Sequence, residues 1–279
     1  MLDIRPFARH DRDGLTALAN RHIAAAVPGG SVPVATLLSQ MEREPAQFVV
    51  DPWVIDRATY VAIAADRVVA AAHLKRYGTD DRVSVDYADA AEIAWLICDP
   101  SCRVAGERVL AAATAHLSEW NVRIWYADGS LPHLLYGVPD SWPHVQNLLH
   151  DAGFDDSDAQ IEVVYAGDIS QVAEPGRVPV DGVDLRRVVG ASGPAFEAWL
   201  ENERIGVFSV DDSHGLANAS LEPWADVDDH WVHPDHRGRG IGTWLVRHGC
   251  AWLRLGGKHR LMAYAVERRP AGREPLENT

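Results

Sequence analysis

The stretch Trp231–Leu245, WVHPDHRGRGIGTWL, constrains this chain more than any other. It reads as strand, sharp turn, glycine-rich loop and helix. Pro234 ends the strand because it has no amide proton for a ladder. Gly238, Gly240 and Gly242 fall at every second position, where missing Cβ atoms permit tight turning and close approach of a ligand. Behind them Ile241, Leu245, His248 and Trp252 recur at helical spacing. A helix start carries unpaired N–H groups and partial positive charge, which suits an anion such as a pyrophosphate. Arg237 and Arg239 add positive charge in a chain whose formal net charge is −14.

Three phosphate-binding patterns compete for this loop. The Walker run GxxxxGK[ST] is absent, and the dinucleotide fingerprint GxGxxG is not matched by glycines spaced GxGxG. The third pattern fits: strand, Pro234, Arg237, Gly240, Gly242, helix. It resembles the acyl-CoA loop [QR]xxGx[GA] of the GNAT acyltransferase superfamily, with Arg237, Gly240 and Gly242 in its three fixed places.

Upstream, the chain reads as strand 2–8, helices 12–27 and 33–44, and a hairpin of 60–65 and 68–74 around Asp66 and Arg67. A near-continuous apolar strand follows at 91–100, then helix 101–117, strand 122–127, helix 142–150 and a closing strand 161–166. This order resembles a complete GNAT domain. Its loop keeps Arg103 and Gly106 but places Arg108 where the family has Gly or Ala, and adds the carboxylate of Glu107. The resemblance therefore implies weak or absent acyl-CoA binding there.

The segment 167–182 is rich in proline and glycine and reads as a linker. The pattern then restarts. Pro234, Arg237 and Gly240 echo Pro100, Arg103 and Gly106, each 134 positions later, as expected of a tandem duplication. The second copy is abbreviated: Asp3 to Pro100 spans 97 positions, Asp184 to Pro234 only 50. The missing part corresponds to the first two helices, and the final helix and strands are also absent. The expected fold class is thus α/β with mixed sheets. Its layout is a complete GNAT-like domain at 1–168, a linker at 169–182 and an abbreviated GNAT-like domain at 183–279.

Composition narrows the partners. The acidic balance argues against nucleic acid and anionic membranes and suits a cationic acceptor, although acidity also simply aids solubility. Cys98, Cys102 and Cys250 match no zinc spacing, which suggests reduced thiols in a cytoplasmic protein without a metal. No signal region and no membrane-length apolar run is present. His230, His233 and His236 recur every third residue; an extended strand turns the first two to opposite faces, so surface or acyl-pocket histidines are the better reading.

The GNAT resemblance implies direct transfer of acetyl from acetyl-CoA to an amine. Backbone N–H groups of Gly238, Arg239, Gly240, Ile241, Gly242 and Thr243, beside Arg237, would hold the pyrophosphate. Trp231 and Val232 would pair with the pantetheine and polarise the thioester. A base would deprotonate the ammonium acceptor. Some members place a Glu eleven positions before the [QR] residue; here those positions are Asp226 and Glu92. Asp226 and Asp228 share a strand face by alternation, and burial would raise the pKa of Glu92. The resulting expectation is a small-molecule amine N-acetyltransferase, with homodimer formation left open. The alternatives are a protein-lysine acceptor and a non-catalytic acyl-CoA sensor or scaffold.

Overall fold

The structure, a computed structural model, describes residues 2–42, 52–127, 129–131, 135–155, 161–190, 192–212 and 223–267. The polar tail after Glu267 lies outside the described residues. The chain divides into two compact units, Met1–Asp156 and Ser157–Thr279.

The first unit holds a five-stranded sheet in the order β1 (Leu2–Pro6), β2 (Val54–Ala64), β3 (Arg67–Tyr77), β4 (Ala90–Cys98), β5 (Ile124–Tyr126). All pairings are antiparallel except β4 with β5. The β2–β3 turn has positive φ at both Ala65 and Asp66, so it supplies the right-handed twist of a two-residue hairpin loop. Helix α1 (Arg12–Ala26) buries Leu15, Leu18, Ala19, His22 and Ile23, one stripe of a 3.6-residue period. A shorter α2 (Val34–Met41) follows. Every residue of β4 is buried, which explains its near-continuous apolar run. Helix α3 (Arg103–Trp120) packs on β2, β3 and β4, and α4 (Pro143–Asp151) on α3 and β4. Between β5 and α4 lies a small ribbon, β6 (Ser130–Leu131) with β7 (Leu135–Tyr136).

The second unit holds six strands in the order β8 (Ile161–Asp168), β13 (Arg260–Glu267), β12 (Trp224–Val232), β11 (Glu203–Asp211), β10 (Pro194–Leu200), β9 (Asp184–Val189). β10 follows β9 after four residues, so the two early helices of the first unit have no counterpart. The β10–β11 turn repeats the positive-φ pair, at Glu201 and Asn202. Helix α5 (Ile241–Leu255) buries Ile241, Leu245, Cys250 and Leu253 against Phe196, Ile205, Phe208 and Val210. Gly249 lies so close to the Phe208 ring that a Cβ there would collide with it.

One strand changes allegiance. Residues 161–166 read in the sequence as the closing strand of the first domain. β8 instead pairs antiparallel with β13 along its whole length, from Ile161 opposite Glu267 to Asp168 opposite Arg260. The compact units accordingly divide at Asp156, before the expected limit at 168. The segment read as linker begins in the second unit's core, where Ile169 is buried. Strand propensity is blind to which edge a strand joins, so the sequence could not settle this.

Candidate active site

The second unit builds a loop with unused donors. After Val232 the chain makes a single 3₁₀ turn at Pro234–His236, and Arg237 donates from Nε to the Val232 carbonyl at 2.9 Å. Gly238 and Gly240 have φ of 72° and 84°, the left-handed region that side chains disfavour. Gly242 is needed for a different reason. A Cβ there would sit 3.1 Å from His230 Nε2 and 3.4 Å from Val232 Cγ2. Gly240 caps α5, whose first backbone bond runs from Trp244 N–H to the Gly240 carbonyl at 3.0 Å. Among the described residues the amides of 238–243 donate to no backbone carbonyl. The loop from Arg237 to Gly240 is exposed, with both arginines at its surface. Unpaired amides, a helix start and two guanidinium groups together make an anion cradle.

Beside the cradle the sheet opens. β12 and β13 run parallel only where Trp224–Asp226 faces Arg260–Met262. β13 then follows β8 while β12 follows β11, leaving a wedge. The register decides which backbone groups line it. His233 N–H donates to Ile205 O at 2.8 Å, so alternation makes the Val207–Trp231 rung bonded and the Gly206–Val232 and Phe208–His230 rungs open. Val232 and His230 therefore turn N–H and C=O into the wedge. Trp231, expected to share this role, turns its backbone to β11 instead.

The carboxylates gather at the wedge's vertex. Asp226 forms the last rung with β13 and accepts from Tyr264 Oη at 3.4 Å. Asp228 accepts from Ser209 Oγ at 3.1 Å. Val227 packs against the helix-side core and His230 meets the Phe208 ring edge-on, so both face α5 although they lie three positions apart. A register shift opposite Ser209 and Val210 absorbs the odd residue. Asp226 and Asp228 keep the common face expected by alternation, and the bulge brings Asp229, opposite Ser209, to the same face. Tyr264 is a half-buried partner of Asp226. Only the parallel pairing of two strands distant in sequence brings them together.

The first unit has closed both features. Its helix begins at Arg103, so residues equivalent to the cradle are wound into a first turn. Arg103 is held by Glu107 at 2.8 Å and by Asp151 at 2.6 Å, which puts two carboxylates where an anion would sit. Gly106 is buried inside α3, where a Cβ would collide with Leu148 and come within 3.0 Å of Cys98 Sγ. It is a packing glycine rather than a ligand-approach glycine. The strands diverge after Glu92 and Tyr126, but Gly129 lies against the Ala94 backbone and Leu131 is buried beside Trp142 in the gap. Glu92 is buried in this sheet and accepts from the Tyr77 hydroxyl.

Comparisons with known proteins agree with this geometry. Residues 173–272 match the model of the Acetyltransferase (GNAT) family. No curated protein matches the chain. Among solved structures, a tandem GNAT protein from the clavulanic acid biosynthesis pathway is similar with TM-score 0.60 and 17% identity, over 97% of this chain and 91% of that one. A GCN5-related N-acetyltransferase from Sphaerobacter thermophilus matches with TM-score 0.60 and 13% identity, over 99% of this chain and 90% of that one. The glucosamine N-acetyltransferase region of a fungal multi-domain GH3 β-N-acetylglucosaminidase also matches with TM-score 0.60 and 15% identity. That match covers 96% of this chain but only 37% of the fungal protein. At such identities these likenesses establish the fold.

Proposed function

We propose, from the premise that this chain is a tandem GNAT protein, that it moves an acetyl group from acetyl-CoA directly to the primary amine of a small molecule. The observation that carries the reading is the contrast between units. The second keeps unpaired loop amides beside an open strand wedge, and the first has wound up the loop and filled the wedge. The amides of 238–243 with Arg237 and Arg239 would bind the pyrophosphate. The wedge-facing groups of Val232 and His230 would pair with the pantetheine and polarise the thioester carbonyl.

The acceptor reaches the thioester as an ammonium ion and must lose a proton before it attacks. Asp226 stands at the wedge vertex for that role, with Tyr264 fixing its carboxylate. Asp228 and Asp229 on the same face favour a cationic acceptor. Glu92 lies in the closed unit and is assigned no role in transfer. A reducing cytoplasm suits the three free thiols. None of the described helices is long and apolar enough to cross a membrane.

Calorimetric titration of acetyl-CoA tests the cofactor assignment. Gly240→Glu places a carboxylate and a strained φ in the cradle and should abolish binding. Val104→Glu, on the exposed first turn of α3, should leave it intact; the opposite pattern reverses the two units. Thiol release with a panel of polyamines, aminoglycosides and amino acids then separates an enzyme from an acyl-CoA sensor.

A further inference from the structure

Of the three histidines that recur around the motif strand, the acyl-transfer reading uses only the backbone of His230. His233 and His236 bracket the turn after β12 and face one another, with ring centres 5.8 Å apart. His230 stands apart from them, on β12 itself. Its ring meets the Phe208 ring of β11 edge-on at 5.7 Å, and its Nε2 approaches the first turn of α5, 3.1 Å from where a Gly242 Cβ would lie. Val232, the next residue on that face of the strand, is apolar and packs into the core. The His230 ring is exposed and has no hydrogen-bond or ion-pair partner among the described residues. Phe208 and Gly242, which flank it, carry no titratable group. A polar ring thus stands in an apolar row, given room by a glycine and left open to a ligand.

We propose that the His230 imidazole is the general acid of the transfer, giving a proton to the coenzyme A sulfur as the carbon–sulfur bond breaks. This rests on the reading of the second unit as the acetyl-CoA site. A pantetheine arm held by the cradle at the start of α5 enters the wedge past Val232 and meets His230 two residues further along the strand, about 7 Å deeper. His230 is the deeper of the two residues whose backbone opens into the wedge, so it stands beside the thioester. The sheet then separates two proton-handling groups. Asp226, Asp228 and Asp229 lie on the face away from α5, and the His230 ring lies on the face towards it. The amine arrives from the carboxylate face. The sulfur is tied through the pantetheine arm to the cradle, so it departs on the α5 face, where the ring stands. Asp226 takes one proton from the ammonium, and the freed nitrogen pair forms the C–N bond. The tetrahedral intermediate then collapses: the C–S pair passes to sulfur, and the imidazolium, protonated on both nitrogens, delivers its Nε2 proton there. The nitrogen loses two protons in becoming an amide; one restores the imidazolium and the other goes to solvent. Imidazole is the side chain suited to hold and release a proton near neutral pH. Before transfer, its charge also stabilises the thiolate that develops on sulfur.

Ultraviolet titration of the thiol of coenzyme A bound to the full chain tests this without knowledge of the acceptor, with desulfo-coenzyme A as the blank. An imidazolium beside the sulfur stabilises the thiolate, so the bound thiol should ionise about one pH unit or more below free coenzyme A. In His230→Gln the bound thiol should return to the free value or rise above it, while the calorimetric affinity for desulfo-coenzyme A stays close to wild type. His248→Gln, which removes an imidazole packed on Trp244 within α5, should leave the titration unchanged. With an acceptor found in the amine panel, His230→Gln should lower kcat about 10²-fold without raising KM for acetyl-CoA. Added imidazole should restore part of the rate of His230→Ala. A wild-type thiol that ionises as it does free in solution overturns the proposal and leaves the cofactor assignment standing. So does a lowered ionisation that survives His230→Gln. Loss of desulfo-coenzyme A binding in His230→Gln makes the residue a structural part of the site and equally overturns it. Failure of wild type to bind either nucleotide rejects the acetyl-CoA reading, and this proposal with it.

Discussion

At the scale of single residues, the protein shows how burial decides chemistry. His73 is fully buried between Thr59, which meets its Nδ1 at 2.9 Å, and the stacked ring of Trp95. Desolvation, reinforced by Lys75 and Arg57, lowers its pKa to about 3. Between pH 6.5 and 3 the unfolded chain therefore binds one proton more than the folded one. The stability contributed by neutral His73 is complete above pH 6.5 and declines as pH falls, by about 1.4 kcal/mol per pH unit. Urea unfolding at pH 7.5 and 5.5 should show His73→Gln losing roughly 1 kcal/mol less than wild type between the two; equal losses would refute the assignment. At the wedge vertex Asp226 is the proposed base. Asp226→Asn keeps the shape and removes the basicity, so kcat should drop about 10²–10⁴-fold with little change in acetyl-CoA affinity. A drop in affinity alone would make Asp226 a binding residue.

At the scale of elements, the two copies of one strand–loop–helix unit diverge through where the helix begins. In the second unit Gly238 and Gly240 hold left-handed conformations that delay α5 until Ile241. In the first, Val104 and Ala105 replace the glycine and arginine of that loop, and the helix starts at Arg103. Restoring glycine alone would not reopen the first loop, because Arg103, Glu107 and Asp151 already satisfy one another there. α5 also shows packing overriding propensity. Gly249→Ala would gain about 1 kcal/mol in an exposed helix. Against the Phe208 ring it should instead cost about 1–3 kcal/mol, the penalty of overpacking. Denaturant unfolding decides the sign, and stabilisation would show that Phe208 can move aside.

At the scale of the whole molecule, the chain crosses between units before the sequence pattern restarts. β8 closes the second sheet along β13, although it precedes the pattern it completes. A fragment starting at residue 157 should therefore fold, whereas one starting at 169 lacks its edge strand and should show a much lower Tm or aggregate along the exposed β13. Equal stability of the two would make β8 dispensable. What the sequence determined by itself is local. The helices, the hairpins, the glycine loop and the duplication were legible because periodicity, proline and glycine act within a few residues. Glu107, singled out in the first loop from the sequence, pairs with Arg103 one helical turn away. Tertiary structure alone decided the rest. The edge joined by β8, the wedge-facing backbone of Val232 and His230, the pairing of Tyr264 with Asp226 and the meeting of His22 with His144 depend on register and on contacts up to 122 residues apart. No local pattern encodes these, because strand order and helix docking follow from how the whole chain buries its apolar surface.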